Sequence, residues 1–124
     1  MPEPLGIDNV FVEVTDLDEG VAWYERAAGL RAKVRTPDMA VLDVGGDVVG
    51  VVLVRAGTVT PAKLWFEVAD ATAVAAELGT TTFSIPTGVT TEIADPWGNR
   101  IGFTDYSRRP ELARTAASPA AAAL

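Results

Sequence analysis

The sequence contains two copies of one short pattern, and this internal repeat constrains the fold more than any other feature. Residues 9–16 (Asn-Val-Phe-Val-Glu-Val-Thr-Asp) align without gaps with residues 63–70 (Lys-Leu-Trp-Phe-Glu-Val-Ala-Asp). In both copies apolar residues alternate with the others, which is typical of a strand with one buried face. Two copies are too few for a solenoid, so we expect two similar modules that close on each other.

Each predicted strand leads into a predicted helix with clear start and stop signals. Asp16 is followed three residues later by Glu19 in capping-box spacing, and Gly29 is placed to end the first helix. In the second copy Asp70 caps a shorter helix over residues 71–78, which Gly79 ends. The pattern therefore predicts a strand and a helix at the start of each module.

The rest of each module reads as strands separated by turns. After the first helix, residues 30–54 are interrupted by turn signals at 36–38 and 45–47. After the second, we predict strands at 81–85, 90–94 and 100–104, and the closing hairpins align residues 46–50 over 98–102.

The sequence thus predicts an α+β fold of two βαβββ modules, at about residues 5–56 and 61–106, joined by a linker at 55–61. We expect one domain over residues 1–109. The Ala-rich tail, residues 110–124, is predicted to be a loosely attached helix or disordered, and no function is assigned to it.

Composition excludes several classes of function. The chain has no histidine and no cysteine, which removes imidazole bases, thiol nucleophiles and the commonest ligands of zinc. A net charge of −7 argues against nucleic acid as a partner and favours, if anything, a cationic ligand. No long apolar run or secretion signal is present, so we expect a cytoplasmic protein that does not bind membranes.

Three features together resemble the vicinal oxygen chelate superfamily. They are the duplicated βαβββ pattern, the first strand leading into Trp23 and Tyr24, and the closing turn Asp95-Pro-Trp-Gly-Asn99 with its apolar strand. That superfamily includes glyoxalase I, extradiol dioxygenases, fosfomycin resistance enzymes and bleomycin resistance proteins. The resemblance covers residues 5–106 and implies curled sheets around a cup, helices on the outer face, and a homodimer.

The resemblance also implies where a metal would bind. The histidine positions of metal-dependent members fall on Asn9 and Lys63, and the carboxylate positions fall on Gly102 and, by the repeat alignment, Gly50. An octahedral or facial-triad site needs at least three placed donors. We therefore expect no metal and no cofactor.

Strand parity assigns a set of side chains to the cup. Phe11 and Trp65 occupy equivalent positions and suit a flat or apolar ligand, although they could instead fill the space between modules or a dimer interface. Lys63 is expected to pair with Glu13 or Glu67. The predicted ligand-binding residues are Asn9, Phe11, Gly50, Lys63, Trp65, Arg100, Gly102 and Thr104.

The predicted residues of the cup are compatible with three functions. The first is a metal-independent binding protein of the glyoxalase and bleomycin-resistance type, which sequesters a small apolar, aromatic or cationic drug or metabolite. The second is a cofactor-free isomerase, epimerase or cyclase of secondary metabolism that uses Glu13 or Glu67 as a catalytic proton shuttle. The third is a degenerate module with an interaction role. The sequence alone does not decide whether the protein is an enzyme.

Overall fold

A computed structural model describes residues 1–5, 7–45 and 50–114. The chain divides into two compact units after Pro61, and each unit is a βαβββ module. The predicted α+β class and the two modules are therefore confirmed. The predicted turn at 45–47 and the hairpin at 46–50 fall partly outside the described residues, and so does most of the predicted tail.

The first module forms one four-stranded mixed sheet. Its elements are β1 (Asn9–Val14), α1 (Leu17–Ala28), β2 (Ala32–Arg35), β3 (Met39–Leu42) and β4 (Gly50–Arg55). Strands β1 and β4 are parallel neighbours, and the remaining pairs are antiparallel, in the order β1-β4-β3-β2.

The second module consists of β5 (Lys63–Glu67), α2 (Ala71–Leu78), β6 (Phe83–Ile85), β7 (Gly88–Ala94) and β8 (Arg100–Thr104). It repeats the topology of the first in the order β5-β8-β7-β6, again with a parallel pair, β5 and β8. Strand β6 is shorter than the predicted strand at 81–85, and a short 3-10 helix, η1 (Pro110–Leu112), follows the sheet.

The helix boundaries follow the predicted signals. The Asp16 side chain accepts a hydrogen bond from the Glu19 N–H at 3.0 Å, and Gly29 ends α1 in the left-handed conformation. Asp70 and Gly79 do the same for α2. Among the described residues no helix has the length and apolar character that crossing a bilayer requires.

One face of each sheet is the buried core. In the first module Val12, Val14 and Leu53 are fully buried, and Gly20 of α1 lies so close that a Cβ there would be 3.3 Å from Val14. In the second module Ile101 and Phe103 are buried on the corresponding face. The opposite face of each sheet carries the predicted ligand-binding residues, as strand parity requires.

Strand register corrects the alignment of the two closing hairpins. Asn9 pairs with Gly50, whereas its counterpart Lys63 pairs with Arg100. Gly102 pairs with Trp65, and the residue that pairs with Phe11 is Val52. The position of the first module that corresponds to Gly102 is therefore Val52, not Gly50. The alignment was wrong by two residues because it matched glycine to glycine.

Candidate functional site

The turn between β7 and β8 positions the strands that carry the candidate site. The Asp95 carboxylate accepts hydrogen bonds from the backbone N–H of Trp97 and from both the backbone and the side-chain N–H of Asn99. The Asn99 Oδ1 accepts a further bond from the Ala62 N–H at 2.7 Å. The buried pair of Asp95 and Asn99 thus stabilises the turn and connects it to the start of β5. This connection helps to set the register of β5 against β8.

Five residues of the second module meet on the face opposite the core, and we call them the Trp65 cluster: Lys63, Trp65, Glu92, Arg100 and Gly102. Glu92 is at the centre, with a side chain that is only 9% exposed. Its Oε2 accepts from the Trp65 indole N–H at 2.6 Å and lies 3.2 Å from Lys63 Nζ. Its Oε1 accepts from Nε and Nη2 of Arg100, both at 3.2 Å.

Gly102 allows the indole of Trp65 to lie directly over β8. A Cβ at position 102 would be 2.3 Å from Trp65 Cδ1 and 2.6 Å from Nε1, which is far inside van der Waals contact. The ring also meets Phe83 edge-to-face at 6.4 Å between centroids, and Lys63 Nζ lies 5.3 Å from the ring centroid. The indole is therefore fixed on several sides, yet 42% of Trp65 is exposed.

Glu92 is held as an anion. Burial raises its pKa, but hydrogen bonds from Trp65, Lys63 and Arg100, together with the Lys63 charge, outweigh that effect and lower the pKa below its ordinary value. A carboxylate with a lowered pKa is a weak proton acceptor at neutral pH. The role of Glu92 in the cluster is to hold three donors in place.

The ion pair of Lys63 differs from the predicted one. We expected Glu13 or Glu67 as its partner, but the salt bridge is with Glu92. Both predicted partners lie on first strands, two residues beyond the aromatic position, whereas Glu92 lies on β7 opposite Gly102. Glu92 reaches Lys63 from across the same sheet, whereas Glu67 is four residues farther along β5 and Glu13 belongs to the first module.

Glu92 is the residue of the cluster that sequence reasoning missed. The signal was present, because the turn Asp95–Asn99 pairs Ala94 with Arg100 and so places Glu92 opposite Gly102. Parity then puts its carboxylate on the same face as Trp65 and Lys63.

In the first module the equivalent positions form a different arrangement. The Asn9 Oδ1 accepts from the Gly50 N–H at 3.3 Å, and the Asn9 amide donates to Asp8 at 3.1 Å. A Cβ at Gly50 would be 3.1 Å from the Leu42 carbonyl and 3.2 Å from Asn9 Oδ1, so little space remains there. Phe11 is 60% exposed on the same face.

Glu13 and Glu67 make the same contact in their two modules. The Glu13 carboxylate accepts from the Thr60 N–H at 2.7 Å, and the Glu67 carboxylate accepts from the Arg114 N–H at 2.9 Å. The sequence separation is 47 residues in both cases. Glu67 also forms a salt bridge with the Arg114 guanidinium at 2.8 Å. Each glutamate thus fastens the segment that follows its own sheet.

Thr104, the last predicted ligand-binding residue, is buried. Its hydroxyl lies 2.7 Å from the Thr90 hydroxyl, which also donates to the Phe103 carbonyl. The two buried hydroxyls therefore satisfy their hydrogen-bonding capacity within the sheet. A cleft of about 370 Å³ lies nearby, lined in part by Glu67, Tyr106, Pro110 and Arg114.

The residues at the implied metal positions do not fit a metal. In the second module the indole of Trp65 fills the space above Gly102, and the histidine position holds the Lys63 cation. In the first, register places the apolar, buried Val52 at the carboxylate position. Among the described residues no group of three or more His, Cys, Asp or Glu side chains is arranged to hold a metal ion.

Comparison with known proteins identifies the fold. No protein-family model matches the sequence, and no curated protein matches it. Solved structures do match. TnmS3, an antibiotic-binding protein from Streptomyces sp. CB03234, has a TM-score of 0.74 at 22% identity over 86% of this chain and 100% of that one.

Two further structures agree with this match. The bleomycin-binding protein from Streptomyces verticillus, solved with copper(II)-bleomycin, has a TM-score of 0.69 at 20% identity over 85% of this chain and 98% of that one. Lactoylglutathione lyase from Agrobacterium tumefaciens has a TM-score of 0.68 at 20% identity over 86% and 98%. This chain has the vicinal oxygen chelate fold. Its similarity to binding proteins and to an enzyme of that fold leaves function to be argued from the site.

Proposed function

We propose that this vicinal oxygen chelate protein binds and sequesters a small molecule without a metal, as a drug- or metabolite-binding protein of the glyoxalase and bleomycin-resistance type. The observation that carries the proposal is the fixed, half-exposed indole of Trp65. An aromatic ring held by its neighbours loses little entropy when a ligand stacks on it, so it makes an efficient binding surface.

The neighbouring side chains support a ligand site rather than a simple surface aromatic. Phe83 is 46% exposed beside Trp65, and the ammonium and guanidinium groups of Lys63 and Arg100 lie at the edge of the same surface. A flat apolar area with a few placed polar groups is the usual composition of small-molecule sites. Two neighbours of the same fold, TnmS3 and the bleomycin-binding protein, are antibiotic binders, which supports the same class.

Metal independence is part of the proposal. It is supported by the indole above Gly102 and by the cation at position 63, because both would oppose a divalent ion there. Asn9, Phe11 and Gly50 remain predicted ligand-binding residues in the first module. Homodimer formation and a cytoplasmic location likewise stay predictions.

The enzymatic alternative is less well supported. It rests on Glu13 and Glu67, and both carboxylates accept backbone N–H groups from the segments that they fasten. A carboxylate whose oxygens hold a chain segment in this way is poorly placed to reach a substrate. We therefore do not adopt catalysis as the function.

The proposal is tested by nuclear magnetic resonance titration with a neutral planar probe, 2-naphthylmethanol. The chain has three tryptophans, whose indole N–H signals are assigned by replacing each with phenylalanine in turn. We expect the probe to shift the Trp65 signal and to leave that of Trp23, which packs against Tyr24, unchanged. Trp65→Ala should weaken binding about tenfold or more.

Two outcomes would count against this function. If Trp65→Ala binds the probe as tightly as the parent chain, the indole is not the binding surface. If added EDTA abolishes binding, the metal-independent part of the proposal is wrong.

A further inference from the structure

We infer that the Trp65 cluster selects aromatic anions: its ligand is a planar ring compound that carries a carboxylate. This inference rests on the proposed binding function and specifies the chemical class of the ligand. It is carried by the hydrogen-bonding capacity and the charge of the cluster.

The two cations of the cluster have donors to spare. An ammonium group carries three N–H donors and a guanidinium carries five. Among residues 1–5, 7–45 and 50–114, Lys63 Nζ has one hydrogen-bonding partner, Glu92. Within the same ranges Arg100 uses only the edge formed by Nε and Nη2, both toward the same oxygen of Glu92. The side chains of Lys63 and Arg100 are 60% and 52% exposed. The end-on edge of the Arg100 guanidinium, formed by Nη1 and Nη2, is therefore available to a ligand.

Charge favours the same conclusion. Lys63 and Arg100 contribute two positive charges, and Glu92 contributes one negative charge, so the cluster carries a net positive charge. The next carboxylate along β5, Glu67, is neutralised by Arg114. A second anion beside Trp65 would restore neutrality, whereas a cationic ligand would be repelled by two exposed cations.

The geometry selects a carboxylate attached to a ring. The end-on edge of a guanidinium matches the two oxygens of a carboxylate, and the resulting paired hydrogen bonds are stronger than neutral ones. Arg100 and Lys63 hold the same carboxylate that receives the Trp65 N–H, so both cations lie beside the indole. A ring stacked on the indole would bring its own carboxylate to these donors. The whole chain has a net charge of −7, which favours a cationic ligand, but the local charge at this site favours an anion.

The test compares three probes of similar shape and different charge: 2-naphthoate, 2-naphthylmethanol and 2-naphthylmethylammonium. Dissociation constants are measured by calorimetry, and the Trp65 indole signal reports the place of binding. We expect 2-naphthoate to bind about tenfold more tightly than the neutral probe, and the ammonium probe to bind most weakly.

Three variants test which residues cause the preference for 2-naphthoate. Lys63→Met and Arg100→Met should each reduce the advantage of 2-naphthoate over the neutral probe by about threefold to tenfold. Arg108→Met removes the same charge from an exposed residue beyond the other end of β8, and it should preserve the preference.

The outcomes separate this inference from the proposed function. If the three probes bind equally at Trp65, or if the preference survives both Lys63→Met and Arg100→Met, the inference is overturned and the binding function stands. If none of the probes shifts the Trp65 signal, the proposed function fails, and the inference fails with it.

Discussion

Replacing Gly102 with alanine tests the contact on which the Trp65 cluster depends. The new methyl carbon would lie 2.3 Å from Trp65 Cδ1, whereas carbon atoms in contact are about 3.5 to 4.0 Å apart. The indole must therefore move by more than about 1 Å. Such a movement breaks its 2.6 Å hydrogen bond to Glu92.

The size of the effect follows from that bond. A hydrogen bond to a charged group contributes about 1.5 to 3 kcal/mol, and alanine in place of glycine returns about 0.4 to 1 kcal/mol by restricting the unfolded chain. We expect Gly102→Ala to lower the free energy of unfolding by about 0.5 to 2.5 kcal/mol. The half-exposed indole can rotate outward, so a larger cost from overpacking is not expected.

The assay is urea denaturation followed by circular dichroism, arranged as a double-mutant cycle with Trp65→Ala. In the Trp65→Ala background Gly102→Ala should be neutral or slightly stabilising, because no ring remains to be displaced. Gly57→Ala is the matched control, since a Cβ there meets nothing within 4 Å. An equal cost of Gly102→Ala in both backgrounds would refute the reasoning.

Three further predictions concern the residues that support the site. Asp105→Asn should destabilise the protein by about 2 to 3 kcal/mol at neutral pH, because the carboxylate accepts N–H bonds from Ala71 and others. Burial raises the pKa of Asp105, but those bonds lower it overall, so its stabilisation is present above the ordinary value of 3.8 and is lost as the pH falls through the lower folded pKa. The difference between the two proteins in urea melts should accordingly narrow below about pH 4; a constant difference would contradict this. Asn99→Ala should cost about 2 to 4 kcal/mol in the same assay, since it removes the bonds to Asp95 and to β5; an unchanged midpoint would show that the turn does not need them. Glu67→Gln should lower stability by about 1 kcal/mol and leave the affinity for 2-naphthoate within twofold, and a larger loss of affinity would restore a ligand-contacting role.

Local sequence signals were sufficient to predict the architecture. Capping residues and C-terminal glycines determine both helices through hydrogen bonds that span three or four positions, and Asp16 and Gly29 act as expected. The alternation of the apolar Val12 and Val14 with the less buried Phe11 and Glu13 identified the buried face of β1. Such signals depend on neighbours in the chain, so they can be read without a structure.

Pairing between strands was predicted less well. The two modules cannot be aligned at a constant offset, because α1 has 12 residues and α2 has 8. This difference of about one helical turn shifts the later strands of one module relative to those of the other. Matching glycine to glycine after this shift aligned Gly50 with Gly102 and concealed the equivalence of Val52. The partner of Lys63 was missed for a related reason, since Glu92 lies on β7, which is separated from β5 by β8 in the sheet.

The equal spacing of the two glutamate contacts has a consequence for how the chain is closed. Each glutamate contact closes a ring of chain in its module, and both rings span 47 residues. Closing either ring therefore costs the same loop entropy. The second ring has a shorter helix, and the stretch containing η1 makes up the missing length. The two rings thus have the same size although their parts differ in length, and a chain shortened before Arg114 would leave the second ring open.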